Sequence, residues 1–189
     1  MYWNGVRHEL NFDGIGYYTY PNRVGGTSLG LDLIDWIFSE MESCDTYLEI
    51  GTFDGVVLSL LAEKYPEKLF YAIDPFRRAT NTGGGSQDYF WANNKPYENV
   101  HLYALTSQVA LPRLISEEKK FDLIFIDGDH SYESTKNDLE FCSKMINPGG
   151  KIFCHDISME GVIKATQEFS DTTNKERIQT SQSVFLFNF

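Results

Sequence analysis

The stretch from Tyr47 to Asp74 constrains this chain more than any other. A short apolar run, Tyr47-Leu48-Glu49-Ile50, meets Gly51-Thr52-Phe53-Asp54-Gly55, and the stretch closes on Leu69-Phe70-Tyr71-Ala72-Ile73-Asp74. Gly51 and Gly55 bracket a tight turn. Val56, Leu60 and Leu61 follow at helical spacing until Pro66 stops the helix. The pattern is strand, glycine turn, helix and parallel strand, a βαβ unit. Glycine is needed where backbone passes close to a ligand or takes positive φ. An acid at the tip of the second strand is where such units grip a ribose through its hydroxyls.

The spacing narrows the ligand. A dinucleotide fingerprint needs G-x-G-x-x-G, and here Phe53 stands near the place of a middle glycine. No G-x-x-x-x-G-K-[ST] occurs, which excludes a P-loop. Glu49, just ahead of the turn, would repel a pyrophosphate and suits a ligand that carries an ammonium group. The pattern Glu49-x-Gly51-x-x-x-Gly55, with Asp74 one strand later, resembles the class I S-adenosylmethionine-dependent methyltransferases. That resemblance implies S-adenosylmethionine as cofactor, held around Glu49, Gly51, Thr52, Phe53, Gly55, Asp74, Thr106 and Asp127.

At 189 residues the chain fits one domain, 1–189, with a single sizeable core. Residues 1–26 carry many rings, Tyr17-Tyr18-Thr19-Tyr20 among them, and are expected to pack on that domain as a candidate lid over the substrate. A formal charge of −11, from 27 acids against 16 Lys and Arg, repels phosphate backbones. Nucleic acid and anionic membranes are therefore not expected partners. Cys44, Cys142 and Cys154 are odd in number and lie in or beside apolar runs, as reduced thiols of a cytoplasmic protein do. No signal-like leader and no bilayer-length apolar run is read.

Further along, Leu31, Ile34, Ile37, Phe38 and Met41 share one helical face ahead of the βαβ unit. Asn99 to Tyr103 reads as a third strand, Thr106-Ser107 as the start of a short helix disturbed by Pro112, and Phe121 to Asp127 as a buried strand. Tyr132, Thr135, Leu139, Cys142 and Met145 mark the next buried helix face, ended by Asn147-Pro148-Gly149-Gly150. Lys151 to Cys154 is a fifth strand, and Val162, Ile163, Thr166 and Phe169 mark a further helix. Arg177 to Thr180 and Ser183 to Phe189 form an antiparallel hairpin around Ser181-Gln182, although Ser-Gln is a poor hairpin turn. The layout resembles the class I methyltransferase fold. It implies a Rossmann-like α/β sandwich with a mostly parallel seven-stranded sheet and a C-terminal antiparallel hairpin. Triple glycine at Gly83 to Gly85 makes the Thr82–Ser86 loop a candidate for substrate choice, together with Tyr17–Tyr20.

A second cluster, Asp127-Gly128-Asp129-His130-Ser131-Tyr132, follows the fourth strand, and His155-Asp156 follows the fifth. Ligands of open parallel sheets bind off the carboxyl ends of the strands, so these groups converge on the crevice of Glu49 and Asp74. Ser131 is also a fair helix N-cap. The two segments resemble methyltransferase family 24, macrocin-type sugar O-methyltransferases and, more distantly, catechol O-methyltransferase. Metal-dependent relatives hold magnesium at these strand ends, which implies Asp127, His155 and Asp156 as ligands of magnesium or manganese. An imidazole in that set suits zinc, iron or manganese better than magnesium. A metal-free alternative makes His130 or His155 a general base beside Asp127. In a third, the His-Asp pair is only a structural strand end. The expected activity is methyl transfer to a hydroxyl of a small molecule or glycan. A non-catalytic nucleoside-binding module and an NAD-dependent oxidoreductase are the alternatives. The oligomeric state stays open, a homodimer included.

Overall fold

A computed structural model of the chain describes residues 6–9, 16–76, 85–180 and 183–189. A small antiparallel pair, β1 (Val6–Glu9) and β2 (Gly16–Thr19), precedes helix α1 (Leu31–Met41). Then come β3 (Thr46–Ile50), α2 (Val56–Lys64), β4 (Leu69–Ile73), α3 (Gln87–Asn94), β5 (Val100–Tyr103) and α4 (Ser107–Ser116). β6 (Phe121–Ile126), α5 (Tyr132–Met145), β7 (Ile146–Cys154), α6 (Glu160–Thr173), β8 (Ile178–Gln179) and β9 (Phe185–Asn188) complete the chain. The main sheet has the order β5-β4-β3-β6-β7-β9-β8, parallel from β5 to β7 and antiparallel across β9 and β8. This is the expected mostly parallel seven-stranded sheet with its C-terminal hairpin. The hairpin turn, Ser181-Gln182, lies outside the described residues.

Strand alternation builds the two layers. Tyr47, Phe70, Ala72, Leu123, Phe125 and Phe153 face α1, α2 and Phe90 of α3. Leu48, Ile50, Tyr71, Ile73, Ile124, Ile126 and Ile152 face α4, α5 and α6. Several details differ from the sequence reading. In α1 the buried face runs through Leu33 while Leu31 is only partly covered, and in α6 Ala165 takes the buried place while Ile163 is exposed. Tyr132 sits at the half-exposed start of α5, whose buried face begins at Ser134. That helix ends at Met145, before Asn147. Ile146 already pairs with Phe121, and the residues up to Gly150 bulge out before Leu123 meets Lys151. Helix α3 escaped detection because only Phe90 on it is both apolar and fully buried; Asn93 and Asn94 fill its other buried places.

Register aligns the tips. Ile50 pairs with both Ile73 and Ile126, and Ile126 pairs with Cys154. One step further, Gly51, Asp74, Asp127 and His155 therefore emerge together, at the switch point where the chain leaves β3 for opposite sides of the sheet. The other end of the sheet is held by polar clamps. Buried Lys68 donates to the carbonyls of Met41, Glu42 and Cys44 at the end of α1. Asp122 accepts from the backbone of Asp45 and Thr46 at 2.9 and 3.0 Å and from Asn147 at 2.7 Å.

Replacing Lys68 with Met keeps the stem and strands those carbonyls. Denaturant melts should show a loss of about 2–3 kcal/mol, with the binding behaviour of the opposite end unchanged. A loss below 0.5 kcal/mol would show that water replaces the ammonium without cost.

Candidate active site

The turn after β3 is built on positive φ: Gly51 at 87°, Phe53 at 55° and Gly55 at 67°. The two glycines are required by neighbouring chain more than by any ligand. A Cβ on Gly51 would lie 2.0 Å from the carbonyl oxygen of Asp127, and one on Gly55 would lie 2.4 Å from the Phe90 ring. Gly51 thus lets the tips of β3 and β6 close on each other. Substitution there is expected to disturb the fold as well as binding, since the obstacle is backbone.

Asp74 receives the turn. Its Oδ2 accepts from the Phe53 amide at 2.9 Å and its Oδ1 from the Phe76 amide at 2.7 Å. Burial raises its pKa, against the pull of those two amides. Phe76 also has positive φ, 47°, as does Asp156 at 54°. Left-handed backbone in such residues costs about 1–3 kcal/mol each. Here all three border the tips of the parallel strands.

A cleft of about 670 Å³ opens over these tips, within the range of small-molecule and cofactor sites. Glu49, Gly51, Thr52, Phe53, Asp74, Thr106, Asp127, His130 and Asp156 line it; Gly55 and His155 do not. The sequence reading missed Ser107 and Gln108 of α4 and the wall formed by Thr27, Ser28 and Leu29. Of the loop expected at Thr82–Ser86, Gly85 lines the cleft, and Thr82 to Gly84 lie outside the described residues. Among the rings expected in a lid, Tyr20 is buried in the core and Tyr18 packs against it. The Tyr17 side chain is outside the description.

Glu49 sits at the floor, 3% exposed. Thr52 donates to it at 2.7 Å and Tyr47 at 3.2 Å. Burial pushes its pKa up to about 8, the Thr52 hydrogen bond opposing and the Asp127 charge adding to the rise.

At the far end, His130 Nε2 lies 3.0 Å from Asp156 Oδ2 and 3.6 Å from Asp127 Oδ1. This nitrogen is buried and aligned for a hydrogen bond with neither. Asp127 and then Asp156 raise the imidazole pKa to about 9, and Asp156 is lowered in turn by His130 and His155. Ligand atoms of Asp127, His130 and Asp156 fall within 4.8 Å of one another. His155 stands behind them, under the Phe125 ring, with Nδ1 2.9 Å from Asp127 Oδ1. Burial lowers the His155 pKa, but Asp127 and Asp156 overcome it and bring the value to about 10. The donor atoms that cluster with Asp127 and Asp156 are thus those of His130, and His155, which the sequence reading grouped with them, lies behind Asp127. Ser131 caps α5, its side chain accepting from the Ser134 amide, and a Cβ on Gly161 of α6 would lie 2.4 Å from the His130 carbonyl oxygen. Those two contacts hold His130 over the tip of β7.

Glu49 makes the ligand-free protein sensitive to pH. Its folded pKa of about 8 exceeds the ordinary 4.5. Between those values the unfolded chain has released a proton that the folded protein keeps, so stability falls as pH rises. Glu49→Gln should abolish that fall and gain on the order of 2–4 kcal/mol at pH 8, read from melts across pH. An unchanged slope would show that Glu49 is already ionised in the free protein.

Comparison with known proteins agrees with this fold. The family model described as "Methyltransferase domain" (family 24) matches residues 48–157, from β3 to the tip of β7. A viral protein, uncharacterized protein R132 of Acanthamoeba polyphaga mimivirus, is 30% identical over 143 residues. The match takes in 74% of this chain and spans 64% of that relative's length. Among solved structures, CalS11, a TDP-rhamnose 3'-O-methyltransferase, superposes with a TM-score of 0.63 at 16% identity, over 84% of this chain and 78% of that one. The O-methyltransferase TomG from Streptomyces achromogenes, solved with S-adenosylmethionine, gives 0.64 at 16% identity, over 85% and 80%. At such identities the likeness to solved structures is one of fold. The family match carries the assignment: the chain belongs to the methyltransferase-domain family of the class I S-adenosylmethionine-dependent methyltransferases.

Proposed function

We propose that this protein transfers a methyl group from S-adenosylmethionine to a hydroxyl of a small molecule or glycan, assisted by a divalent ion. The observation that carries the reading is the meeting of Asp127, His130 and Asp156 in the same cleft as the turn, Glu49 and Asp74. Methyl transfer from a sulfonium is an in-line displacement on an activated donor, so the protein must align the acceptor oxygen and remove its proton. In this reading Asp74 takes the ribose hydroxyls, Glu49 the ammonium of the methionine part, and Thr106 lies along the nucleoside.

Two carboxylates and an imidazole are a donor set for a divalent ion, and manganese suits the mixed set better than magnesium. What supports an ion here is His130, whose buried Nε2 faces two carboxylates without a hydrogen bond. When bound, the ion would supply a Lewis acid that lowers the pKa of an acceptor hydroxyl. His155 would orient Asp127, since its Nδ1 holds Oδ1 from behind. A histidine base without metal is less well supported. At a pKa of about 9, His130 holds a proton near neutrality; a bound ion would displace that proton, whereas a base would have to shed it before it could accept one from the acceptor hydroxyl.

The acceptor class follows the neighbours in kind, CalS11 being named for a nucleotide-linked sugar. The free thiols of Cys44, Cys142 and Cys154 favour a cytoplasmic protein and the net charge of −11 one without a nucleic-acid or anionic-membrane partner; among the described residues no helix is long and apolar enough to cross a membrane. A homodimer is compatible with all of this.

Two measurements separate cofactor from acceptor chemistry. Asp74→Asn should weaken S-adenosylhomocysteine binding by about 1.5–3 kcal/mol, the size of charged hydrogen bonds; unchanged affinity in the folded variant removes Asp74 from the cofactor site. With an acceptor in hand, transfer should stop in EDTA and return with manganese or magnesium. Asp127→Asn and Asp156→Asn should then lower turnover by roughly 100-fold or more and leave S-adenosylhomocysteine affinity nearly intact. Full turnover in EDTA, with collapse in His130→Ala, would replace the ion by a general base.

A further inference from the structure

Asp54 lies inside the turn, between the two required glycines, yet its side chain points away from the cleft and is 5% exposed with its residue. It joins three pieces of chain. Its Oδ1 accepts from the Ser86 amide at the N-cap of α3, at 2.9 Å, and its Oδ2 accepts from the Gly26 amide at 3.4 Å. Its main-chain oxygen accepts from the Asn93 side chain at 2.9 Å. That same amide group donates to the Val24 carbonyl at 2.9 Å, and Asn93 Oδ1 accepts from the Val24 amide at 2.8 Å.

Packing is equally tight. A Cβ on Gly25 would lie 2.1 Å from Asp54 Oδ2, and one on Gly85 would lie 2.3 Å from the Phe53 backbone. Arg23 anchors the same strap further back. Its Nε donates to Ser59 Oγ at 2.6 Å, and one Nη pairs with Glu63 at 2.5 Å and reaches the Tyr97 hydroxyl at 3.2 Å. The strap then continues directly into Thr27, Ser28 and Leu29, which form one wall of the cleft, while Gly85 forms part of another.

Two amide donors on two separate segments need two acceptor oxygens on one short side chain. Among the side chains of this length only Asp offers two acceptors and no donor when ionised. Asn would turn an NH₂ toward one of the amides, and Ala would leave the buried Gly26 amide and the half-buried Ser86 amide without this partner.

We propose that Asp54 is a positioning residue for the cofactor: it locks the Thr27–Leu29 wall and the Gly85 wall onto the glycine turn and thereby sets how long the cofactor stays bound. The proposal rests on reading the cleft as the S-adenosylmethionine site. Asp54 touches no cofactor atom in this account. Asp54 stabilises the walls as they close on the bound ligand, so its loss acts on the bound state and is read mainly in release, as most differences among variants of one site are.

Stopped-flow measurement of S-adenosylhomocysteine dissociation tests this with wild type, Asp54→Asn and Lys68→Met, the last destabilised at the opposite end of the sheet. Dissociation should be about 10-fold or more faster in Asp54→Asn, consistent with the loss of a charged hydrogen bond, with association changed less than about 3-fold. Lys68→Met should release at the wild-type rate, which distinguishes positioning from general loss of stability. Hydrogen exchange on the wild type supplies a second arm should Asp54→Asn fail to fold. The Gly26 and Ser86 amides should slow together when S-adenosylhomocysteine binds. A wild-type dissociation rate in folded Asp54→Asn, or exchange at the two amides indifferent to ligand, overturns the proposal while leaving the cofactor reading in place. Wild-type protein that does not bind S-adenosylhomocysteine at all would instead remove the cofactor reading, and this proposal with it.

Discussion

The approach of Gly51 to the carbonyl of Asp127 is the contact on which the arrangement of the cleft depends. With 2.0 Å between that oxygen and the place a Cβ would take, only glycine lets the tips of β3 and β6 stand side by side. Parallel register does the rest. Ile50, Ile73, Ile126 and Cys154 form one row across four strands, so the next residues of β4, β6 and β7 leave the sheet at the same level. Carboxylates that lie far apart in sequence arrive in one crevice because three short apolar strands end in step.

The two ends of the sheet are treated differently. At the start of the strands Lys68 and Asp122 meet donors and acceptors that match them, as groups committed to stability do. At the tips the same kinds of groups are held at a cost. Glu49 is buried without a cation, Phe53, Phe76 and Asp156 hold left-handed backbone, and His130 faces two carboxylates off hydrogen-bond geometry. Three of the six left-handed non-glycine residues among those described gather at these tips together with a buried acid and an imidazole without hydrogen-bond geometry, as a site arranged for a ligand would have them.

Much of the fold was legible because its signals are local. Short apolar runs that end in acids located β3, β4 and β6, and Gly51, Gly55 and Pro66 punctuated the unit between the first two. Alternating burial on a sheet covered on both faces then follows from chain direction alone. What stayed hidden depends on contacts distant in sequence. Helix α3 buries two asparagines that bind the backbone of Val24, Asp54 and Gly55, so no apolar period announces it. His130 reads in the sequence as a candidate general base beside Asp127, and its closeness to Asp156 is not visible there. Its place over β7 comes from the left-handed turn at Asp156 and from Gly161 packed on the His130 carbonyl. His155 and Asp156 are neighbours in sequence, yet only Asp156 turns into the cleft. The wall at Thr27 to Leu29 carries no motif and is set by the strap behind it.

The proposed role of the cleft depends on the turn after β3, with Glu49 and Asp74, receiving S-adenosylmethionine. Calorimetric titration of the EDTA-treated wild-type protein at neutral pH tests it most directly, with S-adenosylhomocysteine in one series and NAD in a parallel one. The account predicts saturable one-to-one binding of S-adenosylhomocysteine without added metal, since the turn and the two acids need none, and no saturable heat from NAD. Saturable binding of NAD, or no binding of S-adenosylhomocysteine by the folded protein, would contradict it.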